Sequence, residues 1–198
     1  MWQQTGNTMN NIAIFASGNG SNAENIIRHF NGGNVAEVKL VVCNKETAAV
    51  VQKARDLDVP VVVLTREELT AAHPEGLFGI LERYGIETII LAGYLLKMPE
   101  SVTERYSGKI INIHPALLPK FGGKGMYGMN VHKAVIEAGE KESGITIHLA
   151  DAVYDSGKIL FQATCQVLPT DTPESLATKV HALEKEHFPA VIENFILR

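Results

Sequence analysis

Three polar side chains stand out in this 198-residue chain because their types combine into one chemistry: Asn112 and His114 in KIINIHP, and Asp155 in YDSGKI. An imidazole gains and loses protons near neutral pH, and an asparagine amide donates to a developing oxyanion without itself titrating. Asn112 and His114 are two residues apart at the end of an apolar run. On a strand both project from the same side, and Pro115 ends the ladder by removing a donor. A carboxylate completes the set. Asp155 and Asp151 both lie on the connector DAVYDSG, and either would orient the imidazole and raise its pKa through opposite charge. The chain has no G-x-S-x-G elbow, and neither cysteine adjoins a histidine. Acid, base and oxyanion donor without a nucleophile imply direct transfer between two bound substrates, one supplying the attacking atom. The competing reading is a histidine satisfied structurally at a strand end.

A second feature is ASGNGSN, which follows an apolar run and opens a helical pattern. Backbone N–H groups of Gly18, Asn19, Gly20, Ser21 and Asn22, with the positive helix end, can converge there on an anion. The spacing of Gly18, Gly20 and Ala23 matches a dinucleotide fingerprint, but the acidic side chain wanted after the second strand is replaced by Cys43 and Asn44. A lone phosphate monoester, met by the Ser21 hydroxyl and Asn22 amide, suits the loop better. The alternative is a tight turn capped by Ser21 or Asn22. No metal site is expected: H-E-x-x-H and paired C-x-x-C are absent. HALEKEH sets His181, Glu184 and His187 at three-residue steps that drift off one helix face. That segment reads as a solvated face on which Glu184 can still point into a crevice.

These residues need a scaffold that gathers distant segments. From Asn11, short β-branched runs bounded by Gly, Asn or Pro alternate with longer amphipathic stretches, the pattern of a parallel sheet flanked by helices. Strands are expected at 11–18, 37–44, 59–64, 86–93, 109–115, 144–150 and 158–167. Helices are expected at 22–30, 46–57, 66–84 with a break near His73 and Pro74, 99–106 with proline in its first turn, 130–139 and 172–196. DAVYDSG is of hairpin size, so the last two strands pair antiparallel. The expected fold is α/β: a Rossmann-like, mostly parallel sheet flanked by helices, with an antiparallel C-terminal strand pair. Residues 1–10 are expected as a disordered extension and 11–198 as one domain. Ligands in such sheets settle beyond the carboxyl ends of the strands, where Gly18, Gly93, His114 and the Asp155 connector fall.

Composition narrows the function classes. With 45% hydrophobic and 20% charged residues, the chain can bury a core without disulfides or metal. A formal charge of -4 disfavours nucleic acid as the main partner. No apolar stretch approaches the ~20 residues of a membrane span, and MWQQTGNTMN lacks the basic end and apolar middle of a signal peptide. Cys43 and Cys165, far apart in apolar segments, read as free buried thiols in a reducing compartment, and the expected location is cytoplasmic.

Together the segments SGNGSN, LAGYLLKMP, NIHPALLPKFGG, DSGKILFQ and VHALEKEHFPAVI give a chain that resembles the formyltransferase family over nearly its whole length from Asn11. The resemblance implies a single formyltransferase domain. It also implies transfer of a formyl group from 10-formyltetrahydrofolate to the glycine amine of 5'-phosphoribosylglycinamide, in de novo purine biosynthesis. It makes Asn112, His114 and Asp155 the catalytic trio, with Asn112 and a protonated His114 on the oxyanion and Asp155 keeping the imidazole charged. Gly18, Asn19, Gly20, Ser21 and Asn22 would hold the ribose phosphate and Glu184 the glycine ammonium group. The pterin would lie against Leu91, Tyr94, Leu95, Leu96, Lys97, Met98, Asn112, Asp151, Ala152, Val153 and Tyr154. No metal is implied, the partners are the two small molecules, and the chain would act as a monomer or homodimer.

The chain departs from the family pattern at Leu96, where some relatives carry an arginine, and in the long loop KFGGKGMYGMNVH. Lys124 of that loop, or Arg66, would replace the missing charge near the phosphate. Within the family the alternative is a formyltetrahydrofolate deformylase, which usually carries an extra N-terminal regulatory domain. A relative acting on transfer RNA normally adds a C-terminal RNA-binding barrel, and the acidic balance disfavours it. A non-catalytic nucleotide-binding module would have little use for Asn112, His114 and Asp155 together.

Overall fold

The computed structural model describes residues 9–70, 76–151 and 155–198. The strands are β1 (Asn10–Ala16), β2 (Ala36–Cys43), β3 (Val61–Val63), β4 (Thr88–Leu91), β5 (Ile110–His114), β6 (Glu142–Leu149) and β7 (Ile159–Gln166). They form one sheet in the order β3-β2-β1-β4-β5-β6-β7. The five strands from β3 to β5 run parallel. β6 pairs antiparallel with β7, as the hairpin-sized connector predicts, and β5 pairs antiparallel with β6, which the connector does not predict. The helices are α1 (Ser21–Phe30), α2 (Ala49–Arg55), α3 (Arg66–Leu69), α4 (Leu77–Arg83), α5 (Glu100–Arg105), α6 (Met129–Glu137) and α7 (Pro173–Ile196). Among the described residues no helix is long and apolar enough to cross a membrane.

Strand β1 is apolar without alternation because helices cover both sheet faces. Ile12, Ile14 and Ala16 join Ile26 of α1, Val50 of α2, Val135 of α6 and Phe188 of α7 in one core. Ala13 and Phe15, facing the other way, join Leu69 of α3, Leu81 of α4 and Val102 of α5 in the second. Both layers are needed to bury such a strand.

Several boundaries differ from the sequence expectation. Asn10 belongs to β1, paired with Ala36, and so is not part of an extension; residues 1–8 lie outside the described residues. Helix α2 starts only at Ala49, with Ala48 in extended backbone. Pro99 is the N-cap of α5, one position before the first turn, and its fixed φ suits that place. The expected break near His73 and Pro74 also lies outside the described residues. Cys165 is only half-buried, because β7 is an edge strand with its outer face in solvent.

The sheet order reverses at β1, which lies between β2 and β4, so the chain leaving β1 and the chain leaving β4 diverge and open a crevice. The crevice wall is stitched across this gap: the Ser17 N–H donates to the Gly93 carbonyl at 3.1 Å, and the Leu95 N–H to Ser17 Oγ at 3.0 Å.

Candidate active site

A cleft of about 570 Å³ occupies that crevice. It is lined by Gly18, Asn19, Gly20, Ser21, Asn22, Leu91, Tyr94, Leu95, Leu96, Lys97, Met98, Asn112, His114, Asp151, Asp155 and Glu184. Apart from Arg66, every sequence-predicted site residue among the described ones is therefore on one surface. Ala152, Val153 and Tyr154 lie outside the described residues.

At the end of β5, Asn112 and His114 face the same cleft, as two-residue spacing on a strand requires. Burial leaves His114 3% exposed. Its Nε2 lies 2.8 Å from the Phe121 carbonyl, which can only accept, so Nε2 carries a hydrogen and Nδ1 is the atom that titrates. Nδ1 faces Asp155 Oδ2 at 3.6 Å. Of the two connector carboxylates it is Asp155 that faces the imidazole. Asp151 accepts from the Ser156 hydroxyl at 3.1 Å.

Sequence reasoning predicts a raised pKa for this histidine, and the structure reverses it. Burial depresses the His114 pKa by more than the opposing pull of Asp155 and the Phe121 carbonyl. His114 therefore stands uncharged at neutral pH in the free protein. For Asp155, burial alone would raise the pKa, but the His148 contact, the Gly123 N–H at 2.8 Å and the nearby His114 outweigh it. The carboxyl is held below its ordinary range and stays ionised.

Geometry around this pair is strained. Phe121 and Asp155 both sit at positive φ, 56° and 55°, a region that side-chain-bearing residues adopt at a cost of about 1–3 kcal/mol. The loop that carries Phe121 is anchored by Thr146 of β6, whose Oγ1 donates to the Ala116 carbonyl at 2.7 Å. The same oxygen accepts from the Leu118 N–H at 2.9 Å and from Gln162 of β7 at 2.8 Å. Those bonds tie the start of that loop, at Ala116 and Leu118, to β6 and β7.

His148 is the residue that sequence reasoning misses. It pairs directly with Asn112 across β5 and β6. Its Nδ1 is 2.9 Å from the Leu149 carbonyl, so in the neutral ring Nε2 accepts from Asn112 Nδ2 at 3.0 Å. Nε2 also lies 3.6 Å from Asp155 Oδ1. His148 thus lies beside both the amide and the carboxylate. A signal existed in GITIHLA: alternation leaves Thr146 and His148 as the polar face between Ile145 and Ile147, as it does for Asn112 and His114. The pairing register that sets His148 against Asn112 has no such signal.

At the Gly18 to Asn22 end of the cleft, α1 begins at Ser21 with Gly20 as N-cap at φ 76° and without a side-chain capping bond. Neither Ser21 nor Asn22 caps the helix, so its first N–H groups face the cleft mouth uncapped. The Asn22 amide instead donates to Glu184 Oε2 at 2.9 Å, a use of Asn22 that differs from the expected donation to phosphate. Glu184, 7% exposed, has its pKa raised by burial, with Asn22 and His181 pulling the other way. His181 shares this wall, whereas His187 sits against Phe161 with ring centroids 5.0 Å apart. Lys124 also lines the cleft. Arg66 opens α3 and is not among the lining residues. Tyr94 packs edge-on against Phe15, and burial pushes its hydroxyl up to about 12.

A formyl transferase family model matches residues 10–192. The chain is 43% identical over 180 residues to the chloroplastic phosphoribosylglycinamide formyltransferase of Arabidopsis thaliana, covering 89% of this chain. It spans 61% of that relative's length. It is 36% identical over 191 residues to the phosphoribosylglycinamide formyltransferase of Bacillus subtilis, covering 95% of both chains. The crystal structure of glycinamide ribonucleotide transformylase 1 from Geobacillus kaustophilus superposes with a TM-score of 0.86 at 32% identity, covering 95% of this chain and 99% of the other. With the match running from the first strand into the last helix, the chain belongs to the formyl transferase family.

Proposed function

We propose that the protein transfers a formyl group from 10-formyltetrahydrofolate to the glycine amine of 5'-phosphoribosylglycinamide, within de novo purine biosynthesis. The relatives named above carry formyl transfer to phosphoribosylglycinamide in their names, and the folate donor is part of the proposal. The observation that carries it to this chain is the run of contacts Asn112, His148, Asp155, His114 in one cleft with a helix N-terminus and a buried glutamate. Neither cysteine lines the cleft, in keeping with direct attack by a bound amine.

In this reading the phosphate meets the open first turn of α1 at Gly18 to Asn22, where N–H groups and the helix dipole favour an anion. Glu184 receives the glycine ammonium group. The pterin lies against Leu91, Tyr94 to Met98, Asn112 and Asp151, on the opposite side of His114, and Lys124 supplies positive charge at the cleft.

The ammonium group first gives its extra proton to solvent; the uncharged amine then attacks the formyl carbon, and the carbonyl oxygen becomes negative while the nitrogen gains positive charge. Asn112 has a second amide hydrogen beyond the one held by His148, and a single oxyanion donor contributes about 3 kcal/mol. His114, uncharged at rest, takes the amine proton on Nδ1, and the imidazolium is stabilised against ionised Asp155. The proton then passes to N10 of the folate as the carbon to N10 bond breaks, leaving the new formamide. The imidazolium therefore forms during the reaction, beside the oxyanion, rather than waiting in the free protein.

Purified protein should convert phosphoribosylglycinamide and 10-formyltetrahydrofolate to the formylated nucleotide, with folate turnover dependent on the nucleotide. Formyl loss at the same rate with and without nucleotide would identify a hydrolase and overturn the reading.

A further inference from the structure

The loop from Gly18 to Asn22 rests on α2. The Val50 N–H donates to the Gly18 carbonyl at 3.2 Å, and Val50 occupies the space a Cβ on Gly20 would need. That docking brings Lys53, one turn further along α2, over the loop. Its Nζ donates to Asn19 Oδ1 at 2.9 Å and pairs with Glu24 Oε2 at 3.2 Å. Glu24 has a second cation, Arg28, at 3.1 Å, so the neighbourhood carries two positive charges against one negative.

An ammonium group has hydrogens and no acceptor, so the atom of the Asn19 amide that faces Lys53 is the oxygen. The amide nitrogen must then turn away from α2, and Asn19 lines the cleft. We infer that Lys53 is a positioning residue for the phosphate-binding loop: it holds the Asn19 amide by its oxygen so that the NH2 group meets the phosphate. This rests on the phosphate reading of the loop proposed above. Specificity for a phosphorylated substrate then depends on a side chain on α2 that the cleft itself does not include.

The test uses ribose 5-phosphate as probe and calorimetry on the full chain. Lys53→Gln and Asn19→Ala should each weaken binding about tenfold, the loss of one charge-assisted hydrogen bond. Because the lysine acts through the asparagine, the double variant should be within about twofold of Asn19→Ala alone. Lys53→Arg, which keeps the donor, should retain affinity. Asn19→Asp keeps an acceptor for Lys53 but points an oxygen at the anion, and should bind more weakly than Asn19→Ala. Unchanged binding in Lys53→Gln, or losses that multiply in the double variant, would overturn the positioning role. Wild-type protein that does not bind ribose 5-phosphate would overturn the phosphate reading of the loop, and the inference with it.

Discussion

At the scale of single residues, the contest at His114 is between burial and one carboxylate. Burial wins in the free protein, so the imidazole rests uncharged, and Asp155 limits how far its pKa falls. The sign of a mutation follows. Removing the Asp155 charge takes away an influence that raises the His114 pKa, so in Asp155→Asn the acid limb of the kcat/KM profile should move to lower pH. Turnover at the plateau should also fall, by about 10² to 10⁴, because the imidazolium proposed to form during transfer loses its partner. A profile whose acid limb stayed in place or rose, measured over pH 4 to 8, would remove His114 from the role of base. The positive φ at Phe121 and Asp155 belongs to the same account. Both strained residues place an oxygen on His114, so local backbone cost is accepted where it sets the imidazole.

At the scale of elements, the junction of β1 and α1 shapes the end of the cleft where the phosphate is proposed to bind. Gly20 sits at φ 76° with Val50 of α2 against it, whereas Gly18 has nothing within 4 Å of its missing Cβ. Gly20→Ala should therefore destabilise the fold by about 1–3 kcal/mol in urea denaturation, combining left-handed strain with overlap against Val50. Gly18→Ala should stay within about 0.5 kcal/mol of wild type. Equal costs at the two glycines would show that the packing of α2 on the loop is not what makes Gly20 special.

At the scale of the whole molecule, α6 and α7 close the cleft with a buried imidazole that does not titrate near neutrality. His132 is 2% exposed, and burial, with His181 and His114 nearby, brings its pKa to about 4 from 6.5. The unfolded chain takes up this proton below 6.5 while the folded chain resists until about 4. Stability contributed by the neutral ring is thus present above pH 6.5 and lost as pH falls through that window, at most about 1.4 kcal/mol per pH unit. Glu184 works in the opposite sense, since its raised pKa favours the fold as pH falls. Comparing wild type with His132→Gln cancels that contribution. The variant should lose less stability than wild type between pH 7 and pH 5 in urea titrations, and parallel losses would contradict a neutral buried His132.

Residue types and local periodicity alone determined much of this molecule. The α/β alternation, the antiparallel last pair, the glycine loop before α1 and the polar pair closing β5 are all written in short-range pattern, because strand and helix periods and turn chemistry act over a few residues. Even Glu184 was legible as an acidic group on a turn of α7. What only the tertiary structure decided was long-range. Asn112 meets His148 through a pairing register 36 residues apart, and Asn22 meets Glu184 across 162 residues. Asp155, rather than Asp151, reaches His114. The direction of the His114 pKa shift was decided there as well, since desolvation depends on everything packed around a group while the sequence displays only the neighbours along the chain.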